Sequence, residues 1–153
     1  MSFVYAFRGI FRTIANERNL RIHITCVTYM VSILLFTDWF VLSRTDWAVL
    51  MLACAGVIGG EIVNTAIENA VNLASKEYTE YGKIAKDAAA GAVLISAMFA
   101  VIVGLIILFQ PEAFKAMYEY FTGNIPMLCI FVLSIIPATL FIFFGIPGKK
   151  GKK

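Results

Sequence analysis

The amino-acid sequence predicts an all-α integral membrane protein: an N-terminal amphipathic helix in the membrane interface, three core transmembrane helices and a fourth, C-terminal one. Three observations predict it. Of 153 residues, 60% are hydrophobic and only 15% charged, against roughly a quarter charged in a soluble domain. The apolar residues gather into four runs, each long enough to supply the roughly 20 helical residues that a bilayer requires. The 13 Lys and Arg residues fall mostly on one side of those runs.

Residues 3 to 21 place Phe3, Phe7, Ile10, Phe11 and Ile14 on one helical side, with Arg8, Arg12, Arg18 and Arg21 supplying charge. That pattern suits a helix lying among lipid headgroups. A first apolar run, Ile24 to Leu42, ends in interfacial residues around Asp38, Trp39, Arg44 and Asp46. A second runs from Trp47 to Leu73, interrupted by Glu61 and Glu68, and a third from Ala88 to Phe109. Residues 110–125 read as a polar loop, with room for a short interfacial helix around Phe114, Tyr118 and Phe121. The fourth run, Pro126 to Ile146, contains Pro137, which a spanning helix tolerates when neighbours re-satisfy the freed carbonyl. The expected division is therefore a membrane domain over 1–109, the loop, and an added span with a basic tail over 126–153.

Basic residues orient the chain. With the N-terminus in the cytoplasm, the inner side receives Arg8, Arg12, Arg18, Arg21, Lys76, Lys83, Lys86 and the four lysines of the GKKGKK tail. The outer side receives only Arg44 and Lys115. The bias favours four spans with both termini inside, the tail anchoring to the inner leaflet. The first residues lack the continuous apolar core of a cleavable signal, so none should be lost from the mature chain. Cys26, Cys54 and Cys129 lie inside apolar runs without ligand-like spacing and read as small hydrophobes. His23, the one histidine, cannot make a metal site and reads as interfacial.

The informative stretch is EIVNTAIENAVN, Glu61 to Asn72. On a helix, Glu61, Asn64, Glu68 and Asn72 fall within about 80° of one another. A carboxylate at membrane depth costs several kcal/mol unless paired, wetted or protonated. A structural hydrogen bond between helices is the competing reading for one glutamate, but four polar residues in register point to a site. Downstream, Lys86 and Asp87 are expected at the very start of the third spanning helix. There the free N–H groups would attract an anion, and Asp87 would serve as N-cap or cation ligand. Ala88, Ala89, Ala90, Gly91 and Ala92, like Gly56 and Gly60, read as packing residues that let helix backbones approach. No GxxxxGK[ST], GxGxxG or kinase catalytic loop is present. Phosphoryl chemistry here would need carboxylates on Mg²⁺, with lysine and helix N–H groups on phosphates.

FRGI with ANERNLRIH (Phe7 to His23), EIVNTAIE (Glu61 to Glu68) and EY with AKDxxAGAVL (Glu77 to Leu94) resemble the prokaryotic diacylglycerol kinase family of small membrane lipid kinases. The resemblance covers residues 5 to 109, and its pattern of ExxN[ST]AIE followed by AKD is highly specific. It implies ATP- and Mg²⁺-dependent phosphorylation of a membrane alcohol in the bacterial plasma membrane, with the site on the cytoplasmic side. By the same resemblance, Glu61 is the general base, and Glu17 and Glu68 hold the metal of Mg·ATP. Tyr5, Asn64, Glu77, Tyr78, Lys86 and Asp87 contact the nucleotide or support the site, and Glu61 and Ala90 meet the lipid. The family implies a homotrimer with shared sites and no nucleic-acid partner. ERNLRIH and ENAVNLAS resemble Gram-positive members that prefer undecaprenol more than the Gram-negative diacylglycerol kinase. Two positions depart from the pattern. The family's usual aspartate after the second metal glutamate is Asn72 here, and Thr79 stands where other members carry histidine or another polar residue.

Two other readings remain open at this point. A four-span transporter exchanging protons at an intramembrane glutamate fits the helix count and short loops, but it needs no phosphate-binding end. An inactive family member acting as an assembly partner is motivated by Asn72.

Overall fold

Apolar helices long enough to cross a bilayer organise this chain. The computed structural model describes residues 2–74, 77 and 79–145, and over them the regular structure is helical throughout. The order is α1 (Ser2–Asn16), α2 (Arg18–Phe36), α3 (Arg44–Ala74), α4 (Glu80–Leu108), α5 (Pro111–Gly123) and α6 (Ile125–Phe144). Among them α2, α3, α4 and α6 are long and apolar enough to cross a membrane, so this is an all-α membrane protein. Two compact units form: α1, α2, α5 and α6 in one, α3 and α4 in the other.

In the first unit, the helix expected over residues 3–21 is two helices. It breaks at Glu17, whose backbone is extended (φ −101°, ψ 115°). Side chains compete with the backbone in the last turn of α1: Asn16 Nδ2 donates to Arg12 O at 2.8 Å and Thr13 Oγ1 to Gly9 O at 3.0 Å. Phe3, Phe7 and Phe11 stay exposed on α1, as an interfacial helix requires. The first spanning helix begins at Arg18 and ends at Phe36, six residues before the expected Leu42.

Tyr29 of α2 packs edge-on against Phe131 of α6 and shares a 2.8 Å hydrogen bond with Ser134 Oγ. Residues 110–125, expected as a loop with room for a short helix around Phe114, Tyr118 and Phe121, contain the 13-residue α5, which includes all three. Pro111 stands at its start, where the missing N–H costs nothing, and Ala113 is fully buried. The Gln110 amide bonds both main-chain groups of Val41 at 3.1 Å, and Trp39 meets Tyr120 and Phe121 edge-on. Amide pairing and ring contacts together hold α5 and its N-cap to the segment that follows α2. Asn124 caps α6, accepting from Met127 N at 3.3 Å.

In the second unit, α3 has 31 residues and is about 46 Å long, some 16 Å more than the hydrocarbon core of about 30 Å. Its polar residues gather in the C-terminal half, where Glu61, Asn64, Glu68, Asn69 and Asn72 interrupt the apolar sequence. Two close contacts fix the antiparallel register. A Cβ on Gly60 would lie 3.6 Å from Val93 Cγ2, and one on Gly82 3.0 Å from Val71 Cγ1. Gly60 therefore performs the expected close approach, whereas a Cβ on Gly56 would meet nothing within 4 Å.

Candidate active site

The packed face of α3 carries Leu50, Val57, Glu61 and Thr65 at helical spacing. Glu61 is 5% exposed, so this carboxylate belongs to the protein-facing side of the helix and not to the lipid side. Thr65 Oγ1 donates back along the helix to the Glu61 main-chain O at 3.0 Å. One turn on, Asn64 Nδ2 donates to Glu68 Oε1 at 3.1 Å. Asn64 Oδ1 is buried and has no hydrogen-bond partner among the described residues. A buried acceptor left without a donor is costly and suits a cationic or donating ligand.

The antiparallel register sets Ala88–Ala92 of α4 at the level of Glu61–Thr65, so a face of small side chains lies beside the buried carboxylate. Ala89 is buried and Ala90 exposed. Nearer the helix ends, Lys86 Nζ donates to Asn72 Oδ1 at 2.7 Å. The asparagine at the departing position thus keeps the acceptor an aspartate would offer, without its charge.

The expected helix start at Lys86 and Asp87 is incorrect. α4 begins at Glu80, and both residues lie in its second turn and the start of the third, away from the free N–H groups. Thr79 is the reason. Its Oγ1 accepts from Gly82 N at 3.1 Å, satisfying one orphan donor as an N-cap does, and Glu80 complements the helix dipole. Residues 80–87 contain no breaker beyond Gly82, so the helix runs through them. Lys86 acts as a side-chain charge on a helix flank, and Asp87, exposed, is not an N-cap. Sequence reading passed over Thr79 as a cap and Thr65 as the buried partner of Glu61's turn. A threonine three residues before a glycine at the head of an apolar helix was the available signal for the first.

Glu17 and Tyr5 belong to the first unit, Glu17 at the N-cap position of α2 and Tyr5 exposed on α1. Glu77 is exposed in the connection between α3 and α4, and Tyr78 lies outside the described residues. Among the described residues no three His, Cys, Asp or Glu side chains group as a metal site. One or two carboxylates suffice for Mg²⁺ when phosphates and water complete its shell. The hard oxygens of Glu68 and the unpartnered Asn64 Oδ1 are chemically suited to that ion.

A sequence profile of the prokaryotic diacylglycerol kinase family matches residues 4–108. The chain is 39% identical over 111 residues to the undecaprenol kinase of Bacillus subtilis, covering 72% of this chain and 87% of that kinase. It is 42% identical over 113 residues to a diacylglycerol kinase of Synechocystis sp., covering 72% of this chain and 62% of that enzyme. No solved structure matches it. The profile ends at the last residue of α4, so α5 and α6 lie beyond it.

Proposed function

The chain belongs to the prokaryotic diacylglycerol kinase family and is a lipid kinase, and on that premise we propose that it transfers the γ-phosphoryl group of ATP to undecaprenol at the cytoplasmic face of the membrane. Diacylglycerol is the second acceptor. Undecaprenol is placed first because ERNLRIH and ENAVNLAS resemble Gram-positive members of the family; identity to the Bacillus undecaprenol kinase and to the Synechocystis diacylglycerol kinase, 39% and 42%, does not separate the two acceptors.

The observation that carries the mechanism is the burial of Glu61, which lies under one helical turn from Asn64 and about two turns from Glu68 on α3. Seven residues of helix separate Glu61 from Glu68 by about 10 Å along the axis. A lipid hydroxyl approaches from the hydrocarbon and a nucleotide from water, and α3 offers a carboxylate at each level. Glu61 takes the hydroxyl proton as the lipid oxygen attacks the γ-phosphorus. The bond from that phosphorus to the β–γ bridging oxygen breaks, and ADP leaves with its electron pair. The small side chains of α4, Ala90 among them, leave space for the lipid head beside Glu61.

Lys86, steadied by Asn72, supplies a point charge to phosphate oxygens, with Tyr5, Glu77, Tyr78 and Asp87 completing the nucleotide side. Glu17, Glu68 and Asn64 Oδ1 would hold Mg²⁺. When bound, the ion neutralises charge on the β- and γ-phosphates. The kinase portion is residues 1–109, and the working assembly is a homotrimer with sites at subunit boundaries, where base and metal ligands can come from different chains. Apolar side chains left exposed along α4, such as Leu94, Met98 and Leu105, are available to lipid and to neighbouring copies alike.

The test is purified protein in detergent with γ-labelled ATP, Mg²⁺ and each lipid alcohol separately. Label should appear in undecaprenyl monophosphate more than in phosphatidic acid. Transfer to neither lipid would refute the kinase reading, and a preference for diacylglycerol would refute the choice of acceptor.

A further inference from the structure

Arg21 is 5% exposed although its side chain is charged. Its guanidinium gathers three main-chain carbonyls from two helices. Nη1 donates to Ile14 O at 3.0 Å and Ala15 O at 3.1 Å, and Nε donates to Ile142 O at 3.0 Å. The carbonyls of Ile14 and Ala15 would accept from Arg18 and Asn19 in an unbroken helix. The break at Glu17 orphans them, and Arg21 replaces the lost donors. Ile142 lies in the last turn of α6, so the same cation sits at the negative ends of two helix dipoles.

Gly145 shows independently that the end of α6 is fitted to this arginine. It closes α6 at φ 69°, with its N–H bonded to Phe141 O at 2.9 Å. A Cβ there would stand 3.2 Å from Arg21 Nη1 and 3.3 Å from Ala15 O. Both the backbone conformation and the space call for glycine.

The corner held in this way is the one that presents Glu17. Ala15 precedes it by two residues, Arg21 follows by one turn, and Arg21 N bonds Glu17 O at 3.4 Å. We infer that α6 is a positioning strut for the nucleotide side of the site: through Arg21 it fixes the α1–α2 corner and hence the direction in which Glu17 meets Mg·ATP. The inference rests on the reading of Glu17 as a ligand of the nucleotide's metal. Arg21 acts through Glu17 and is a positioning residue. It also gives a purpose to a helix that lies beyond the residues matched by the family profile.

The experiment compares the full-length protein with its Gly145→Val, Gly145→Ala and Glu17→Gln variants. Amide hydrogen exchange over residues 13–21 is measured without nucleotide, and KM for Mg·ATP, KM for lipid and kcat are measured separately. Gly145→Val should speed exchange at the corner and raise KM for Mg·ATP by about five-fold or more, the low end of coupling between sites. KM for lipid should stay within about two-fold, because the perturbed corner lies on the nucleotide side. Gly145→Ala, which adds one methyl group, should shift both readouts in the same direction by less, and it decides the matter should the valine variant not fold. Unchanged exchange and unchanged KM for Mg·ATP in the Gly145 variants, with Glu17→Gln impaired, would overturn the strut alone. Should Glu17→Gln leave Mg·ATP affinity intact, the metal-ligand reading fails and the strut fails with it.

Discussion

Glu61→Gln separates a catalytic base from a buried structural carboxylate. The two side chains have nearly the same shape, and at 5% exposure the substitution deletes a proton acceptor with little change in packing. Thr65 Oγ1 bonds the Glu61 main-chain carbonyl, so that contact survives. If Glu61 is the base, kcat should fall by about 10²-fold or more, which is about 2.7 kcal/mol of transition-state stabilisation. The roughly 10 Å between Glu61 and Glu68 along α3 places the change beyond the distance at which mutational effects usually couple. KM for Mg·ATP should therefore move by less than about two-fold. Steady-state assays with labelled ATP give both numbers, and a melting curve in the same detergent gives stability. Breaking a buried ion pair would instead cost about 3–5 kcal/mol of stability. A large fall in melting temperature with kcat within about ten-fold of the parent would refute the assignment of Glu61 as base.

Other substitutions examine the remaining roles. Glu68→Gln should weaken Mg·ATP, with KM rising and partly recovering as Mg²⁺ is raised; a loss independent of Mg²⁺ counts against it as a metal ligand. In a trimer with shared sites, mixing Glu61→Gln and Glu17→Gln chains should restore activity above either alone, and failure to complement counts against sharing. Asn72→Asp replaces the 2.7 Å acceptor of Lys86 by a charged one. Asn72 is exposed and Lys86 only part-buried, so the added attraction is about 0.2–1 kcal/mol. With part of the lysine's charge offset, KM for Mg·ATP should rise about 1.4- to 5-fold at unchanged kcat. Activity appearing from none on that substitution would favour the inactive-partner reading.

Much of this protein is legible along the chain because membrane helices are decided locally. In hydrocarbon every backbone polar group must be bonded within its own segment, so run length alone located four spans to within a few residues at most of their ends. Helical periodicity placed Glu61, Asn64, Glu68 and Asn72 on one stripe for the same reason, since residue positions on a helix follow from spacing. The ends were less legible. A cap or a break depends on single side chains competing for a few carbonyls and N–H groups, and such choices moved the start of α4 to Glu80 and divided the N-terminal helix at Glu17.

Only the tertiary structure decided which polar residues meet. Periodicity cannot say that Asn72 serves Lys86, or that Gly60 and not Gly56 touches α4. Those facts depend on the antiparallel register of two helices, a long-range choice that neither helix encodes alone. The meeting of Arg21 with Ile142 spans 121 positions of sequence. It exists because a helix break creates orphan carbonyls in one place and packing brings the end of another helix beside them, an arrangement with no local signature.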